Sequence, residues 1–343
     1  MREGSVGRER RAAVLRGAAP HALALLALTL LAVVATWPLA ANFAAALPSI
    51  PAERGQDVWQ NAWNFWWTRE ALLVERTNPY RTDALFFPLG ASLYLHSLNL
   101  PQSLLGLPLL PAIGLVATYN LVTLLMLVAT GYCAFLLARH VSGSAPAALV
   151  ASFVVLCSPQ RLDELRQSQL PTLSDYGLPL ALLLALITVR RRSWRWALGT
   201  AVVVLVAGLS SWYHLFHLLI LFALLLLWDG AAAYRRGGWG EARAAVAPWL
   251  QIAGLSALVC APLLLPATVE AATAAYAVKG EALVFSANLL RLAPGTLGGV
   301  WRRVPEDWVS DVSFAWLPLL LALAGLLLAR RAALRWAVVA LVC

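Results

Sequence analysis

Gly55-Gln56-Asp57-Val58-Trp59-Gln60-Asn61-Ala62-Trp63-Asn64-Phe65-Trp66-Trp67 is the stretch on which the reading of the chain turns. At the helical spacing of about 100° per residue, Glu53, Asp57, Asn61, Asn64 and Thr68 share one narrow polar face. Trp59, Trp63, Trp66 and Trp67 fall on roughly the opposite side. Indole is apolar in body and carries one N–H donor, so such a helix suits a membrane–water boundary. Its polar face is expected to look away from lipid, toward water or a substrate, as one wall of an active site.

The surrounding sequence makes a membrane the expected setting. The chain has 343 residues, 61% of them hydrophobic and 13% charged. A soluble protein of this length carries roughly twice that charge fraction. Several apolar runs reach the ~20 residues that cross a bilayer as a helix. They lack the strict alternation of a β-barrel. The expected fold is therefore all-α, a polytopic helical membrane protein with the lipid bilayer as its first partner. Cys133, Cys157, Cys260 and Cys343 all sit in apolar segments without C-x-x-C spacing, so neither a disulfide framework nor a zinc site is indicated.

Charge sets the topology. Residues 1–20 hold Arg2, Arg8, Arg10, Arg11 and Arg16, and the apolar run 21–41 follows as an uncleaved first span. The positive-inside rule puts the N-terminus in the cytoplasm. Residues 42–114 are then an extracytoplasmic loop with juxtamembrane helices. Its Leu100–Leu115 part is broken by Pro101, Pro108 and Pro111 and read as not crossing. Spans are expected near 115–138, 145–158, 176–190, 196–211, 213–229 and 246–265, forming the bundle 115–265. A second outer loop, 266–312, and spans from 313 onward bring the number to eight or nine. The last apolar run stops at Cys343 after about a dozen residues, which reads as a C-terminal truncation.

On this topology 16 of the 26 Lys/Arg and 4 of the 17 Asp/Glu are cytoplasmic. Insertion accounts for the net charge of +9, and no nucleic-acid partner is implied. The outer acids are not explained by insertion. They reflect either loop solvation or chemistry at the outer face.

Within the first loop, the helix is expected over 56–75, ended by Thr77-Asn78-Pro79-Tyr80, with a turn at Pro88-Leu89-Gly90 and a return through His96. A second outer segment, Ser158–Gln169, pairs Arg161 with Glu164 and Asp163 with Arg166 at i,i+3, and Asp163 with Gln167 at i,i+4. It is either a solvated ion-paired face or a phosphate grip, since guanidinium suits bidentate contact with phosphate oxygens. His214 and His217 lie three apart on one helix without a third ligand nearby, and packing is the simpler reading. No P-loop, G-x-G-x-x-G, H-E-x-x-H or G-x-S-x-G is present.

Asp57, then Trp63-Asn64-x-Trp66-Trp67, then Pro79, Thr82, Phe86, Pro88, Gly90, Leu93 and His96 form a D…WNxWW…FxPxGxxLxxH pattern. Tyr119-Asn120, Gly131-Tyr132 and Ser158-Pro159-x-Arg161-Leu162 accompany it. This resembles a group of bacterial multi-pass membrane proteins and, more broadly, the GT-C superfamily of integral-membrane glycosyltransferases. The resemblance implies transfer of a sugar from a polyprenyl-phosphate-linked donor to an acceptor outside the cytoplasmic (inner) membrane. It makes Asp57 the first-loop catalytic acid. A carboxylate there serves as general base or holds a divalent metal against the leaving phosphate. Asn61, Asn64, His96, Arg161, Glu164 and Arg166 are the expected substrate-binding residues. The paired-proline motif of some GT-C branches is absent, and a second catalytic acid is not evident. The alternatives are a non-catalytic protein that handles or transports lipid or envelope components, and a purely structural subunit.

Overall fold

A computed structural model describes residues 3–48 and 56–273, together with Leu320 and Ala324. The expected loop 266–312 beyond Thr273, the later spans, Glu53 and Gly55 lie outside the described residues. So does the side chain of Arg166.

The described chain is helical except for one small hairpin. In order it forms α1 (Glu3–Ala35), a 3₁₀ turn (Leu39–Asn42), α2 (Gln56–Arg69), a π-helical extension (Glu70–Glu75), β1 (Arg81–Thr82) and β2 (Ala91–Ser92). Then come α3 (Leu100–Gly106), α4 (Leu110–Ser142), α5 (Ala145–Leu156), α6 (Pro159–Arg166), α7 (Leu170–Leu173), α8 (Gly177–Arg191), α9 (Trp194–Ser210) and α10 (Trp212–Thr273). Four segments are long and apolar enough to cross a membrane: Ala18–Ala35, Leu110–Ser142, Leu170–Arg191 and Trp212–Thr273. The chain is a helical membrane protein. Leu100–Gly106 is a seven-residue helix, far short of a span.

α10 is broken at Gly237-Gly238, where Gly238 has φ 74° and ψ −158°, a conformation that side chains with a Cβ rarely adopt. Its two arms fold back on one another. Leu218 packs near Cys260, and Leu225 near Trp249 and Ile252, with Ala185, Ala197, Ala181, Val204 and Ala207 of α8 and α9 completing these layers. Small residues let the helices approach. A Cβ on Gly177 would lie 2.7 Å from that of Ala207, and one on Gly131 would lie 2.9 Å from Leu28 of α1 and Leu156 of α5.

The helix directions collect the connections at two ends. One end carries the residues 36–48, α2 with its extension, the hairpin, α3, α6 and α7, and is called the loop end. The other carries the tight turns at 142–144, 191–193 and 237–238, together with Arg139, Arg190, Arg191, Arg192, Arg195, Arg235, Arg236 and Arg243. It is called the arginine end.

α2 differs from the amphipathic pattern expected of it. Its polar face is not wet: Asn61, Asn64 and Thr68 are buried. Val58, Ala62 and Phe65 beside them pack on Tyr119, Val122 and Met126 of α4 and Leu170 of α7. The tryptophans divide. Trp59 is 70% exposed and Trp66 41% exposed, as an interfacial belt requires. Trp67 is buried, stacks on Trp63 at 5.8 Å and donates from Nε1 to Pro79 O (2.9 Å). The loop Tyr80–Leu100 folds over that side, burying Leu93 and Leu98 against Trp67 and Ala71. Periodicity gave the helix its faces but not its neighbours on either flank.

Candidate functional site

Three groups of polar side chains meet at the loop end, two of them built on α2.

The first is the Asp57 corner. Asp57 lies in the first turn of α2, where the exposed backbone N–H groups favour a negative charge. Its Oδ2 accepts a hydrogen bond from Gln169 Nε2, from the α6–α7 junction. No described cation pairs with it. One turn on, Asn61 Nδ2 donates to Ser168 O (3.0 Å), and the Tyr119 hydroxyl donates to the same carbonyl (3.3 Å). The Ser168 hydroxyl donates in turn to Pro48 O. Asn61 Oδ1 is buried with no partner among the described residues. A cavity of about 410 Å³ at the loop end is lined by Thr36, Trp37, Leu39, Asn42, Pro48 and Leu165 among others, and not by Asp57, Asn61 or Gln169. Its link to the corner is through Pro48, whose carbonyl accepts from the Ser168 hydroxyl.

The second group latches the first loop. Asn64 Nδ2 donates to Ser97 O (3.1 Å) and Asn99 Oδ1 (2.6 Å), and its Oδ1 accepts from His96 Nε2 (2.9 Å). With Nε2 carrying the proton, Nδ1 is the acceptor, and Gln60 Nε2 stands 3.5 Å from it. Burial lowers the His96 pKa and keeps the ring neutral. Asn64 is thus spent on holding His96–Asn99, which starts α3.

The third is the Arg161 corner, where α6, α7 and α8 join. Ser158 caps α6 by accepting from Arg161 N (3.3 Å), with Pro159 at the first helical position. The Arg161 guanidinium then makes every contact inward. Nη1 donates to Glu164 Oε2 (3.0 Å), Leu173 O (3.0 Å) and Thr172 O (3.4 Å), and Nη2 to Asp175 Oδ2. Its side chain is 8% exposed. Burial pushes the Glu164 carboxyl up, against the pull of Arg161. His214 Nε2 reaches the same Thr172 carbonyl at 3.3 Å, so this histidine belongs to the packing of the corner. Gln167 Nε2 donates to Asp163 Oδ2 (2.5 Å), the expected i,i+4 contact.

The sequence-predicted residues therefore gather at one end but divide by role. Asp57 is partly exposed and held by a neutral amide. Asn61, Asn64 and His96 hold backbone and loop. Arg161 and Glu164 face each other and the chain; both terminal guanidinium nitrogens are bonded inside the protein, and Nε is buried without a partner among the described residues. Gln169 and Asp175, the partners that define the two corners, carried no signal of their own. A Gln in a polar segment and an Asp at the start of an apolar helix are ordinary until the fold brings α2 and α6 to them. Among the described residues no three His, Cys, Asp or Glu side chains come together to hold a metal ion. A divalent cation at Asp57 would be held by one carboxylate and by oxygens of a bound phosphate, an arrangement magnesium accepts.

No family model matches this chain, and no match was found among curated proteins or solved structures.

Proposed function

We propose that the chain is a GT-C-type membrane glycosyltransferase, passing a sugar from a polyprenyl-phosphate-linked donor to an acceptor at the extracytoplasmic face of a bacterial inner membrane. In this reading the loop end faces outward and the N-terminus lies in the cytoplasm. Counting α5, α9 and both arms of α10 as crossings, with those after residue 312, gives eight or nine spans.

The observation that carries the reading is Asp57. It is a partly exposed carboxylate at a helix N-terminus at the loop end, hydrogen-bonded by the neutral amide of Gln169. An ion-paired carboxylate is a poor base because the cation lowers its proton affinity and occupies its oxygens. One held by a single amide keeps a second oxygen for a substrate hydroxyl. Exposed Trp37, Trp59 and Trp66 lie at the same end. They suit a boundary where a donor keeps its tail in lipid and its phosphate in water. Asp57 acts as general base toward the acceptor, the lipid phosphate leaves, and Gln169 fixes the carboxylate's orientation. Asn61 and Asn64 support this arrangement from beneath.

The test is transfer of label from polyprenyl-phosphate sugars by the purified chain in liposomes. Asp57→Asn is expected to lower the rate by about 10²–10⁴-fold. Transfer at the unaltered rate would remove Asp57 from catalysis, and no transfer from any polyprenyl-phosphate sugar by the unaltered chain would remove the donor class.

A further inference from the structure

At the arginine end a second cavity, of about 420 Å³, opens between the inner ends of α8 and the two arms of α10. Its lining comprises Val189 and Arg192 from α8 and its cap, Trp228, Asp229, Ala232 and Arg236 from the first arm, and Ala245 from the second. We propose that this cavity binds the headgroup of an anionic glycerophospholipid, with the phosphodiester between Arg192 and Arg236 and the acyl chains running out along the bundle.

The arginines of this end are not equivalent. Arg191 lies over the ring of Trp196 at 5.5 Å, and Arg195 over that of Trp194 at 6.0 Å. Each of these two cations is already matched to an aromatic face. Arg192 and Arg236 come from different helices and line one concavity. Arg192 stands at the C-cap of α8 with φ 49°, bonding its N–H to Thr188 O (2.7 Å). Glycine is the usual residue in that left-handed position, and a bulky cation there is uncommon.

Charge decides the kind of anion. Asp229 shares the lining and accepts from Trp249 Nε1 (3.1 Å). Among the described lining residues two guanidinium groups stand against one carboxylate, an excess of one positive charge. A phosphodiester, with one negative charge, neutralises the cavity, whereas a dianionic phosphomonoester overshoots it. Guanidinium also fits phosphate oxygens bidentately. The depth is right for a headgroup: exposed Trp194 and Trp239 and the Trp228 of the lining mark an interfacial belt at this end. Basic pockets between membrane helices are where acidic headgroups bind. The site lies at the opposite end of the bundle from Asp57 and does not depend on the reaction proposed there.

The experiment uses the whole chain purified in non-ionic detergent and titrated with phosphatidylglycerol, phosphatidylcholine or inorganic phosphate. Retained lipid is read by native mass spectrometry, and the thermal unfolding midpoint is read in parallel. Phosphatidylglycerol is expected to be retained and to raise the midpoint, and the other two are not. Arg192→Gln with Arg236→Gln is expected to weaken phosphatidylglycerol retention by tenfold or more. Arg195→Gln with Arg235→Gln, at the same end but outside the lining, is expected to leave it unchanged. Should the first pair fail to fold, Arg192→Lys with Arg236→Lys keeps the charge without the fork and is expected to show reduced retention. Equal retention of phosphatidylcholine, equal stabilisation by inorganic phosphate, or equal losses in the two glutamine pairs would each overturn the proposal.

Discussion

The Arg161 corner and the Asp57 corner are joined by a few residues of α6 and α7, and each contains a charge that the sequence marked for chemistry. They solve opposite problems. Arg161 is buried and answered by Glu164, Asp175 and two backbone carbonyls. Asp57 is partly exposed and answered by one neutral amide. A charge whose partners are all internal is part of the architecture, because removing it strands the partners. A charge held by a neutral group keeps its interaction with whatever enters next. The greatest effect on stability is therefore expected where function is least. Arg161→Gln leaves Asp175 and Glu164 without their cation in a buried setting, and a loss of about 3–5 kcal/mol is expected. It is read as a large drop in the thermal unfolding midpoint in detergent. Adding Asp175→Asn to Arg161→Gln should recover part of the loss, because the two changes act on one contact. A midpoint unmoved by Arg161→Gln would erase the distinction between the corners.

The next effect falls on the latch. Asn64→Ala removes three hydrogen bonds at once and leaves Asn99 Oδ1 and Ser97 O without their donor in a region closed by Trp67 and Leu98. A loss of roughly 1–3 kcal/mol is expected, the cost of an unsatisfied buried polar group. Cleavage of the Leu93–Leu100 segment by protease should quicken while α4–α10 stay protected. Cleavage rising equally throughout the chain would mean that Asn64 serves the bundle as a whole.

The two elements also differ in how far the sequence revealed them. The bundle could be read because its information is local. Apolar runs of sufficient length mark the helices, arginine turns separate them, and α4, α5, α8, α9 and the arms of α10 lie close to where these features put them. α2 could be read as a helix for the same reason. What periodicity could not supply was its surroundings. A face of Asp57, Asn61, Asn64 and Thr68 reads as wetted because polar groups usually are, yet Asn61 meets Ser168 and Asn64 meets Asn99. Both partners are remote in sequence, and nothing in spacing announces them. Arg161 with Glu164 was visible at i,i+3, while Asp175, which turns that pair into a buried network, was not.

pH separates the latch from the corners by a smaller margin. Burial depresses the His96 pKa, so folding favours the neutral ring. The stability this contributes is present above the unfolded histidine value, about 6.5, and is lost as pH falls through the lower folded value. A second proton would also sit on Nδ1, facing the Gln60 amide. The protection factors of the His96 and Ser103 amides, which bond to Leu93 O and Asn99 O, are expected to fall on acidification below pH 6.5. His96→Gln should exchange faster at neutral pH with a flatter profile. An identical pH profile in His96→Gln would assign the acid sensitivity to other groups.

The smallest stability effect belongs to the residue with the largest expected effect on rate. In Asp57→Asn the side-chain oxygen can still accept from Gln169, so the contact between α2 and the α6–α7 junction persists. What is lost is the attraction between a carboxylate and the N-terminus of α2, about 0.3–1 kcal/mol for a site of this kind. The unfolding midpoint should therefore move little, while transfer falls sharply. Asp57→Ala discards the contact as well and should unfold at a lower temperature than Asp57→Asn at equal loss of transfer. That ordering tells a catalytic carboxylate from a structural one. If Asp57→Asn destabilised the chain as much as Arg161→Gln, Asp57 would be a second internal brace, and the loss of transfer would follow from loss of fold.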